Sequence, residues 1–543
     1  MKRHIRILLK TAFCLMLAVS RTLAAEPPNP QALFPSGVQR GQSATVKIIG
    51  TIGDPAPQFW TSRTELTAQP GAEPGTIALT ATPDVPAGVY WVRLFNAAGA
   101  SRLRPFIVGT LPEVAEVEPN NAVAAAQTID VAGTVINGAL DQKADVDTFR
   151  VTLAAGQTLI ASLDADRTLG GPMDGILQLV SPQGFVIAQN DDDHGIDPQI
   201  VFTAPTEGAY AVRLFAFPKD PNSTIRFASG DDYVYRLTLT TGPFVDRVVP
   251  TTADSTGPYR LIGWNMPEPR EVVPQRTEFG LIASMDAPGT WEFERLPRLA
   301  GTMRVESDPA AEQSSFGVPG AIFGALKVPG ERDTYTLAAT AGTKYVISVA
   351  ARSLGSPLDA VLTIRNPEAK VIDSVDDSGA AFDPVATFTP ASDGQYSIEV
   401  ADRFEFGGER FFYVLTAAPE QPDFAVELEQ DAYTLRVGEP LEVKLKVVRR
   451  GGMSESVTLA FEGLPTGVTA VMTAPVPDPP DSFVVPAGTD AVTLKLEAAE
   501  GTTYSGPWAI SGSAGSERRS ATAPLIELPL RTPHIWLTVA PKP

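Results

Sequence analysis

The sequence has a single cysteine among its 543 residues, Cys14, and it lies in an apolar stretch near the amino terminus. If that stretch is removed on export, the remaining chain contains no cysteine. Disulfide bonds, thiol nucleophiles and thiolate metal sites are then excluded. An exported protein of several domains without disulfides depends on its hydrophobic cores, or on bound metal, for its stability.

Histidine is almost as scarce, and the common catalytic motifs are missing. Only His194 and His534 follow the amino-terminal stretch. The chain has no Gly-x-Ser-x-Gly elbow, no His-Glu-x-x-His zinc motif and no phosphate-binding loop. A catalytic carboxylate pair of the glycosidase kind stays open, because 63 Asp and Glu residues always offer pairs. On balance the sequence predicts a protein that is not an enzyme.

Long apolar runs are missing too. No apolar run of about 18 residues occurs, so we expect no membrane insertion. The apolar segment over 12–19 is shorter than a membrane span, but it follows a basic front and precedes two small residues. This pattern predicts an export signal over residues 1–25 and a periplasmic, cell-surface or secreted protein. The residues that carry the pattern are Lys2, Arg3, Arg6, Lys10, Ala24 and Ala25.

Basic residues are outnumbered by acidic ones. Removal of the signal leaves 38 Lys and Arg against 63 Asp and Glu. This balance argues against nucleic acid and anionic membrane surfaces as partners, because both repel an acidic chain. It suits a soluble extracellular protein with affinity for divalent cations.

Periodic segments long enough for a helix are also lacking. The 45 glycines and 49 prolines interrupt short runs rich in Val, Thr, Leu and Ala. Such runs predict short strands joined by turns. The predicted fold class is therefore all-β, as a tandem array of β-sandwich modules of jelly-roll and immunoglobulin-like type.

Two long segments repeat one another. Matching residues occur in the same order with short gaps, which predicts two homologous domains at 113–243 and 304–418. Three aromatic pairs recur in place, and we expect them in the cores: Phe149 and Tyr335, Phe202 and Phe388, Tyr210 and Tyr396. The strongest matches are Gly138-Ala139-Leu140 with Gly324-Ala325-Leu326, and Asp147-Thr148-Phe149 with Asp333-Thr334-Tyr335.

The repeats are flanked by further β modules. Residues 26–112 contain strand-like runs at 44–50 and 89–95, which predict an immunoglobulin-like domain. The run over 441–447 alternates apolar and charged residues, as a half-exposed strand does, and predicts a carboxy-terminal immunoglobulin-like sandwich over 419–543. Residues 244–303 between the repeats predict a short β module or linker.

Two pairs of acidic residues mark the start of the first repeat. Glu116 and Glu118 are two residues apart, so in an extended segment their side chains leave the same face. Asp145 and Asp147 repeat that spacing directly before a strand-like run. Carboxylates held this close repel each other unless something positive lies between them.

Amide oxygens follow the first acidic pair in the sequence. Carboxylate and amide oxygens without a soft ligand are what a hard cation such as Ca²⁺ prefers. We therefore predict a calcium site that fastens the start of the first repeat to its body. The alternative is a solvated acidic linker followed by an acidic strand end. The candidate ligands are Glu116, Glu118, Asn120, Asn121, Asp145 and Asp147.

A second acidic cluster, 190–194, reads Asn-Asp-Asp-Asp-His and is echoed by Asp376 and Asp377. Its Asn and Asp side chains predict a turn in which they bond their own backbone. A second metal position is the alternative, because several oxygens lie within four residues.

Taken together, these motifs resemble the bacterial pre-peptidase C-terminal (PPC) domain, more strongly in the first repeat. The domain is similar to the collagen-binding modules of clostridial collagenases. The resemblance implies a jelly-roll β-sandwich appended to secreted proteases and other extracellular proteins. In that family the Glu-x-Glu-x-Asn-Asn linker and the aspartates before the Asp-x-Phe strand bind calcium, which implies the same six ligands. The matching elements are Glu116-x-Glu118-Pro119-Asn120-Asn121, Gly138-x-Leu140, Asp147-Thr148-Phe149, Asn190-Asp191-Asp192 and Gly208-x-Tyr210.

The second repeat departs from this pattern. Its linker keeps an acidic pair, Glu306 and Asp308, but has alanine at both asparagine positions. Glu331 stands in the place of Asp145, and Arg332 lies beside Asp333. Fewer neutral oxygens and a nearby cation weaken a calcium site. We predict calcium in the first repeat and none in the second.

Two functions are compatible with these features. The first is a secreted, non-catalytic, calcium-stabilised binding or scaffold protein that presents its β-sandwiches to an extracellular protein or polysaccharide. The second is an accessory or inactive relative of a secreted peptidase with undetected hydrolase activity.

Overall fold

The structure is a computed structural model of the chain. Within the described residues, no helix combines the length and the apolar character that a membrane crossing requires. The predicted export signal lies outside the described residues except for Ala25. The described residues are 25–220, 226–249, 259–266, 271–272, 275–277, 280–282, 302–305, 314–378, 382–475, 482–525, 527–528 and 530–542.

The first module is a sandwich of two sheets, here called the N-terminal sandwich. Its strands are β1 (Asn29–Phe34), β2 (Gly37–Gln39), β3 (Ser43–Thr51), β4 (Gln58–Thr61), β5 (Leu66–Pro70), β6 (Thr76–Ala81), β7 (Gly88–Asn96), β8 (Gly99–Ala100) and β9 (Arg104–Gly109). One sheet has the order β1-β3-β6-β5 and the other β2-β9-β7-β4, with β8 beside β7. Val46, Leu79 and Phe106 are fully buried between the sheets.

The first repeat is a sandwich of two five-stranded sheets. Its elements are β10 (Glu113–Ala115), a 3-10 turn (Val123–Ala125), β11 (Gln127–Thr128), β12 (Thr134–Ala139), β13 (Asp147–Leu153), β14 (Thr158–Asp164), β15 (Met173–Val180), β16 (Val186–Asn190), β17 (Gln199–Thr203), β18 (Gly208–Pro218) and β19 (Val234–Thr240). The sheet orders are β10-β12-β19-β14-β17 and β11-β13-β18-β15-β16.

A connecting segment follows, of which the structure describes a part. Its strands are β20 (Phe244–Val249), β21 (Tyr259–Trp264), β22 (Glu271–Val272), β23 (Gln275–Thr277) and β24 (Gly280–Ile282). The first three form one sheet, and β23 pairs with β24. The prediction of a β module at 244–303 lies partly outside the described residues.

The second repeat copies the first strand for strand. Its elements are β25 (Thr302–Val305), β26 (Ser314–Phe316), β27 (Gly320–Ala325), β28 (Arg332–Ala339), β29 (Tyr345–Ala350), a 3-10 turn (Arg352–Leu354), β30 (Ala360–Arg365), β31 (Val371–Val375), β32 (Val385–Phe388), β33 (Gly394–Asp402) and β34 (Phe412–Pro419). The orders β25-β27-β34-β29-β32 and β26-β28-β33-β30-β31 repeat those of the first repeat.

The C-terminal sandwich completes the chain. Its strands are β35 (Asp423–Leu428), β36 (Ala432–Arg436), β37 (Leu441–Arg450), β38 (Val457–Glu462), β39 (Val468–Ala474), β40 (Val484–Val485), β41 (Ala491–Ala498), β42 (Tyr504–Ala514), β43 (Glu517–Ser520), β44 (Ala523–Leu525), β45 (Leu530–Thr532) and β46 (Ile535–Ala540). One sheet is β35-β37-β41-β39, the other is β36-β46-β42-β38-β40 with β43 beside β42, and β44 pairs with β45. The prediction of an all-β chain of tandem sandwiches is confirmed.

Alternation along the strands explains how each core forms. In β37 the apolar residues Val443, Leu445 and Val447 are buried, and the glutamate and lysines that alternate with them are exposed. A two-residue period places every second side chain on one face, so this face packs against the opposite sheet. Of the aromatic pairs predicted to lie in the cores, five rings are buried and Phe202 is partly buried.

The two ends of the chain contact each other. Arg93 on β7 is fully buried and donates to Asp431 Oδ2 at 2.8 Å and to the carbonyl of His534 at 2.9 Å. The ring centroid of Trp60 lies 5.3 Å from that of His534 and 6.0 Å from that of Trp536. The N-terminal and C-terminal sandwiches therefore share a buried interface, and the array of modules closes on itself.

A cluster of charged side chains joins the two repeats. Arg410, between β33 and β34, donates to Asp193 Oδ1 at 2.5 Å and Oδ2 at 3.0 Å. Its guanidinium also lies 3.2 Å from Asp246 Oδ1 on β20. The other oxygen, Asp246 Oδ2, accepts a hydrogen bond from Arg247 at 2.6 Å. We call these four residues the inter-repeat clasp.

The clasp predicts that Arg410→Ala loosens the contact between the repeats. Hydrogen bonds to charged groups contribute about 1.5–3 kcal/mol, and the variant loses the bidentate pair with Asp193. We expect a larger radius of gyration in small-angle X-ray scattering. Arg403→Ala is the control, because Arg403 pairs with Asp376 inside the second repeat and both are exposed. Equal scattering from the two variants would contradict the clasp.

Candidate metal centre

Glu116 directly follows β10 and is bonded to the end of β12. Its N–H donates to the carbonyl of Asn137 at 3.0 Å, which continues the parallel pairing of β10 with β12. The N–H of Ala139 donates to Glu116 Oε1 at 2.7 Å. Backbone and side chain of Glu116 thus tie the entry segment to the body of the sandwich.

Tyr235 brings Glu116 and Asp147 together. Asp147 begins β13, and Tyr235 lies on β19, next to β12. The Tyr235 hydroxyl is 2.5 Å from Asp147 Oδ2 and 2.9 Å from Glu116 Oε2. A phenol carries one proton, so it can donate fully to only one of these carboxylates. The oxygen of the other carboxylate, which receives no proton from Tyr235, needs a proton of its own or a cation.

The close approach of these groups requires glycine at position 138. Gly138 lies opposite Tyr235 in the β12–β19 ladder. A Cβ atom there would lie 2.2 Å from the Tyr235 hydroxyl and 2.5 Å from Glu116 Oε2. Any larger residue would displace the tyrosine or the glutamate, because real Cβ atoms do not approach other atoms so closely.

The linker and the residues at the start of β13 also bury polar atoms without partners. Asn120 is fully buried, and neither its amide oxygen nor its amide nitrogen has a partner. Asp145 is also fully buried, and although its Oδ2 accepts from the N–H of Gln142 at 3.0 Å, its Oδ1 has no partner. Asp147 Oδ1 is likewise unpaired. Buried polar atoms of this kind are costly unless an ion or water satisfies them.

Three carboxylates from the same segments converge. Glu116, Glu118 and Asp147 each place one oxygen within 4.8 Å of the other two. In the part of the chain that the structure describes, no other group of three acidic or histidine side chains has this geometry. The donors are all oxygens, and the Glu118 turn is held by a 2.8 Å bond from the Asn120 N–H. This donor set fits a hard divalent cation such as Ca²⁺.

The electrostatics of the cluster point the same way. Burial raises the pKa of Glu116, and the charge of Glu118 adds to the rise. Burial and the Glu116 charge together raise the pKa of Asp147 strongly. Burial also raises the pKa of Tyr235 well above its ordinary value, so the phenol stays protonated. The ionised form of these carboxylates is therefore unfavourable unless a positive charge lies close to them.

The six predicted ligands are not placed alike. Glu116, Glu118 and Asp147 converge, and Asp145 and Asn120 are buried with unpaired oxygens. Asn121 is exposed. Tyr235, which bonds both Glu116 and Asp147, is not among the six residues predicted from the sequence. A further match between the repeats indicates this tyrosine in the sequence. It pairs Tyr235-Arg236-Leu237-Thr238 with Tyr413-Val414-Leu415-Thr416.

The second repeat differs at the corresponding place. Its linker, 306–311, lies outside the described residues. The sequence predicts that Arg332 weakens a metal site, but its guanidinium pairs with Glu399 at 3.1 Å and lies 3.8 Å from Glu405. Adjacent residues of a strand point to opposite faces, so this charge is directed away from Asp333.

The other predicted polar cluster, 190–194, contributes Asp193 to the clasp. Asn190 Oδ1 accepts from the N–H of Gln199 at 3.0 Å, and Asp193 binds Arg410. His194 Nδ1 lies 2.9 Å from Asp193 Oδ2. Asn190 thus accepts from the backbone of the neighbouring strand β17 and not from its own turn, and Asp193 makes the inter-repeat contact, which the sequence does not indicate.

Comparison with protein families matches both repeats. The model of the bacterial pre-peptidase C-terminal domain matches residues 145–216 and 331–402. The chain carries two PPC domains. The resemblance drawn from the sequence is thereby confirmed in both repeats. The first match begins at Asp145, so it contains Asp145 and Asp147, whereas the linker with Glu116 and Glu118 precedes it.

Three known proteins are similar to parts of this chain or along most of its length. A probable subtilase-type serine protease of Deinococcus radiodurans is 35% identical over 98 residues, which is 18% of this chain and 14% of that protease. The PPC domain of collagenase from Bacillus anthracis is 16% identical, with 20% of this chain and 99% of that domain covered and a TM-score of 0.16. Four immunoglobulin domains of Dscam1 are 10% identical, with 95% and 98% covered and a TM-score of 0.19.

Proposed function

We propose that this protein is an exported, non-catalytic binding or scaffold protein whose first PPC domain is stabilised by Ca²⁺. One observation carries the calcium proposal: three carboxylates converge on a place where Asn120, Asp145 and Asp147 bury unpaired oxygens. Such a cluster is costly without a cation and favourable with one.

Calcium would be held mainly by the linker and by the start of β13. Glu116 and Glu118 come from the linker, and Asp147 belongs to the sandwich. Bound calcium supplies positive charge between these carboxylates. Because the linker leads from the N-terminal sandwich into the first PPC domain, the cation would also fix the junction of these modules.

The sandwiches would then act as a rigid array for an extracellular protein or polysaccharide. The acidic balance of the chain disfavours nucleic acid as the partner. The clasp and the interface at Arg93 hold the modules together in this view. Rigid modules bind with less loss of conformational entropy than flexible ones, which favours a presenting role.

The second candidate is an accessory or inactive relative of a secreted peptidase. It is favoured by the 35% identity to a segment of a protein described as a subtilase-type protease. Incubation of the purified protein with casein, collagen and polysaccharides separates the two candidates. Binding without turnover supports the first candidate. Turnover that a point mutation abolishes supports the second.

The raised pKa values predict a pH-dependent calcium response. In the metal-free folded state, Glu116 and Asp147 keep a proton above the pH at which they lose it in the unfolded chain. Metal-free stability therefore falls as the pH rises from about 4 towards these raised pKa values. Calcium opposes this loss, so the calcium-induced rise in melting temperature should be larger at pH 8 than at pH 5. A response that is equal at both values would contradict the assignment of these carboxylates as ligands.

A further inference from the structure

One sheet of the first PPC domain ends in an apolar strand. β16 is the last strand of the order β11-β13-β18-β15-β16, so in the described part of the chain one of its edges pairs with no strand. Val186 and Ile187 at its start are 49% and 44% exposed, and Phe185 directly before them is 70% exposed. Natural proteins usually protect such an edge with charge or proline, because it invites pairing with another chain.

The second PPC domain carries a charge on the same edge. Its strand β31 corresponds to β16, and both strands begin with Val and Ile and have the same pattern of exposure. At the third position the first domain has Ala188 and the second has Asp373. A charge within an edge strand opposes the addition of a further strand. No residue of β16 is charged, so the first domain lacks this protection.

Negative charge lies directly beyond the apolar edge. Asp191 and Asp192 follow β16 and are both exposed. Burial raises the pKa of Asp174, and the charges of Asp192 and Asp191 add to the rise. These three carboxylates therefore form one negative region, which a positive group would stabilise. In the second domain, Asp376 at the place of Asp191 pairs with Arg403 instead.

Side-chain bonds hold β16 in place for pairing. Gln189 Oε1 accepts from the Gln178 amide at 2.8 Å, and Gln178 Oε1 accepts from Arg213 at 3.1 Å. Asn190 Oδ1 accepts from the N–H of Gln199 at 3.0 Å, which ties the end of β16 to β17. A strand that is already ordered can pair with a further strand at little cost in conformational entropy.

We propose that β16 binds an extended segment of a partner protein by strand addition, and that this segment combines apolar with basic residues. The backbone of β16 supplies the hydrogen bonds, Val186 and Ile187 contact the apolar side chains, and Asp191 and Asp192 attract the basic ones. The acidic balance of the whole chain favours the same partner. This inference rests on the binding role proposed above and selects a protein over a polysaccharide, because a polysaccharide has no peptide groups to continue the ladder.

Titration of the full chain with short synthetic peptides tests the proposal. The probe alternates valine and lysine, one comparison peptide alternates valine and glutamate, and another carries two successive prolines at the centre of the probe. We expect both comparison peptides to bind at least about tenfold more weakly than the probe, because one reverses the charge and the other removes ladder donors. Binding of the probe should slow hydrogen exchange at the amides of β16.

Substitutions at exposed positions locate the binding on this edge. Ile187→Lys should weaken the affinity for the probe at least about tenfold, because it removes an apolar contact and adds a like charge. Ile372→Lys, at the matched and equally exposed position of β31, is the control and should leave the affinity unchanged. Asp191→Asn combined with Asp192→Asn should weaken binding at low salt and reduce its salt dependence. If Ile187→Lys does not fold, this double variant decides.

The results that overturn this proposal differ from those that overturn the proposed function. Equal affinities of Ile187→Lys and Ile372→Lys for the probe would overturn it, and so would binding without slower exchange in β16. Self-association of the chain that Ile187→Lys abolishes would make a second copy the occupant of the edge and would also overturn it. A chain that binds polysaccharide but not the probe contradicts this proposal and leaves the binding role intact. Enzymatic cleavage of the probe would contradict the non-catalytic role itself.

Discussion

In the Glu118→Ala variant, calcium should lose most of its effect on the melting temperature of the first PPC domain. Glu118 is exposed, so its removal leaves the core intact, yet it supplies one of the three converging carboxylates. A ligand at 100 times its Kd stabilises a folded protein by about 2.7 kcal/mol. If the variant binds calcium about 100-fold more weakly, most of this stabilisation disappears.

The measurement is calorimetry of the full chain in chelator and in saturating calcium. Glu207→Ala is the matched control, because Glu207 is an exposed glutamate of the same domain in a turn before β18. The control should keep the full calcium response. An undiminished response in Glu118→Ala would show that calcium, if it binds, binds elsewhere.

The fold of this chain could be predicted from the sequence because its signals are local. Gly and Pro mark the turns, and alternation within runs such as 441–447 marks the strands. The two PPC domains could be predicted because matched residues recur in one order. Both kinds of signal depend on neighbouring residues or on a repeat, and neither requires knowledge of which strands pair.

The candidate metal centre could be predicted only in part, for the same reason. The two-residue spacing of Glu116 and Glu118 is local and places both carboxylates on one side. Tyr235 reaches the centre only because β19 pairs with β12, which joins positions about 100 residues apart. Asn120 and Asn121 are adjacent, and adjacent side chains of an extended segment point apart. The structure accordingly buries Asn120 and exposes Asn121.

Contacts between distant modules leave no local signal at all. Arg93 occurs within the run 89–95, which the sequence correctly predicts as a strand. Nothing in that run indicates that its guanidinium is fully buried against Asp431, 338 residues away. A charged residue in a strand suggests exposure, and here the C-terminal sandwich covers it.

This buried pair predicts the largest loss of stability from a single substitution. Removal of one partner of a buried ion pair leaves an uncompensated charge and costs about 3–5 kcal/mol. Asp431→Ala leaves the Arg93 guanidinium with only the carbonyls of Ser101 and His534 as acceptors among its described bonds. For a cooperative unit of about 150–250 residues, we expect the melting temperature to fall by roughly 6–20 °C.

Two further variants test whether the loss of stability in Asp431→Ala comes from the burial of the Arg93–Asp431 pair. Glu497→Ala removes an exposed pair with Lys495, whose side chains are 41% and 56% accessible, and should cost at most about 1 kcal/mol. The double variant Arg93→Met with Asp431→Leu replaces both charges by apolar groups of similar length and should recover most of the loss, because it leaves no charge buried. If Asp431→Ala melts like Glu497→Ala, the two terminal sandwiches are not in contact in solution. The chain would then be an open row of modules whose ends do not meet.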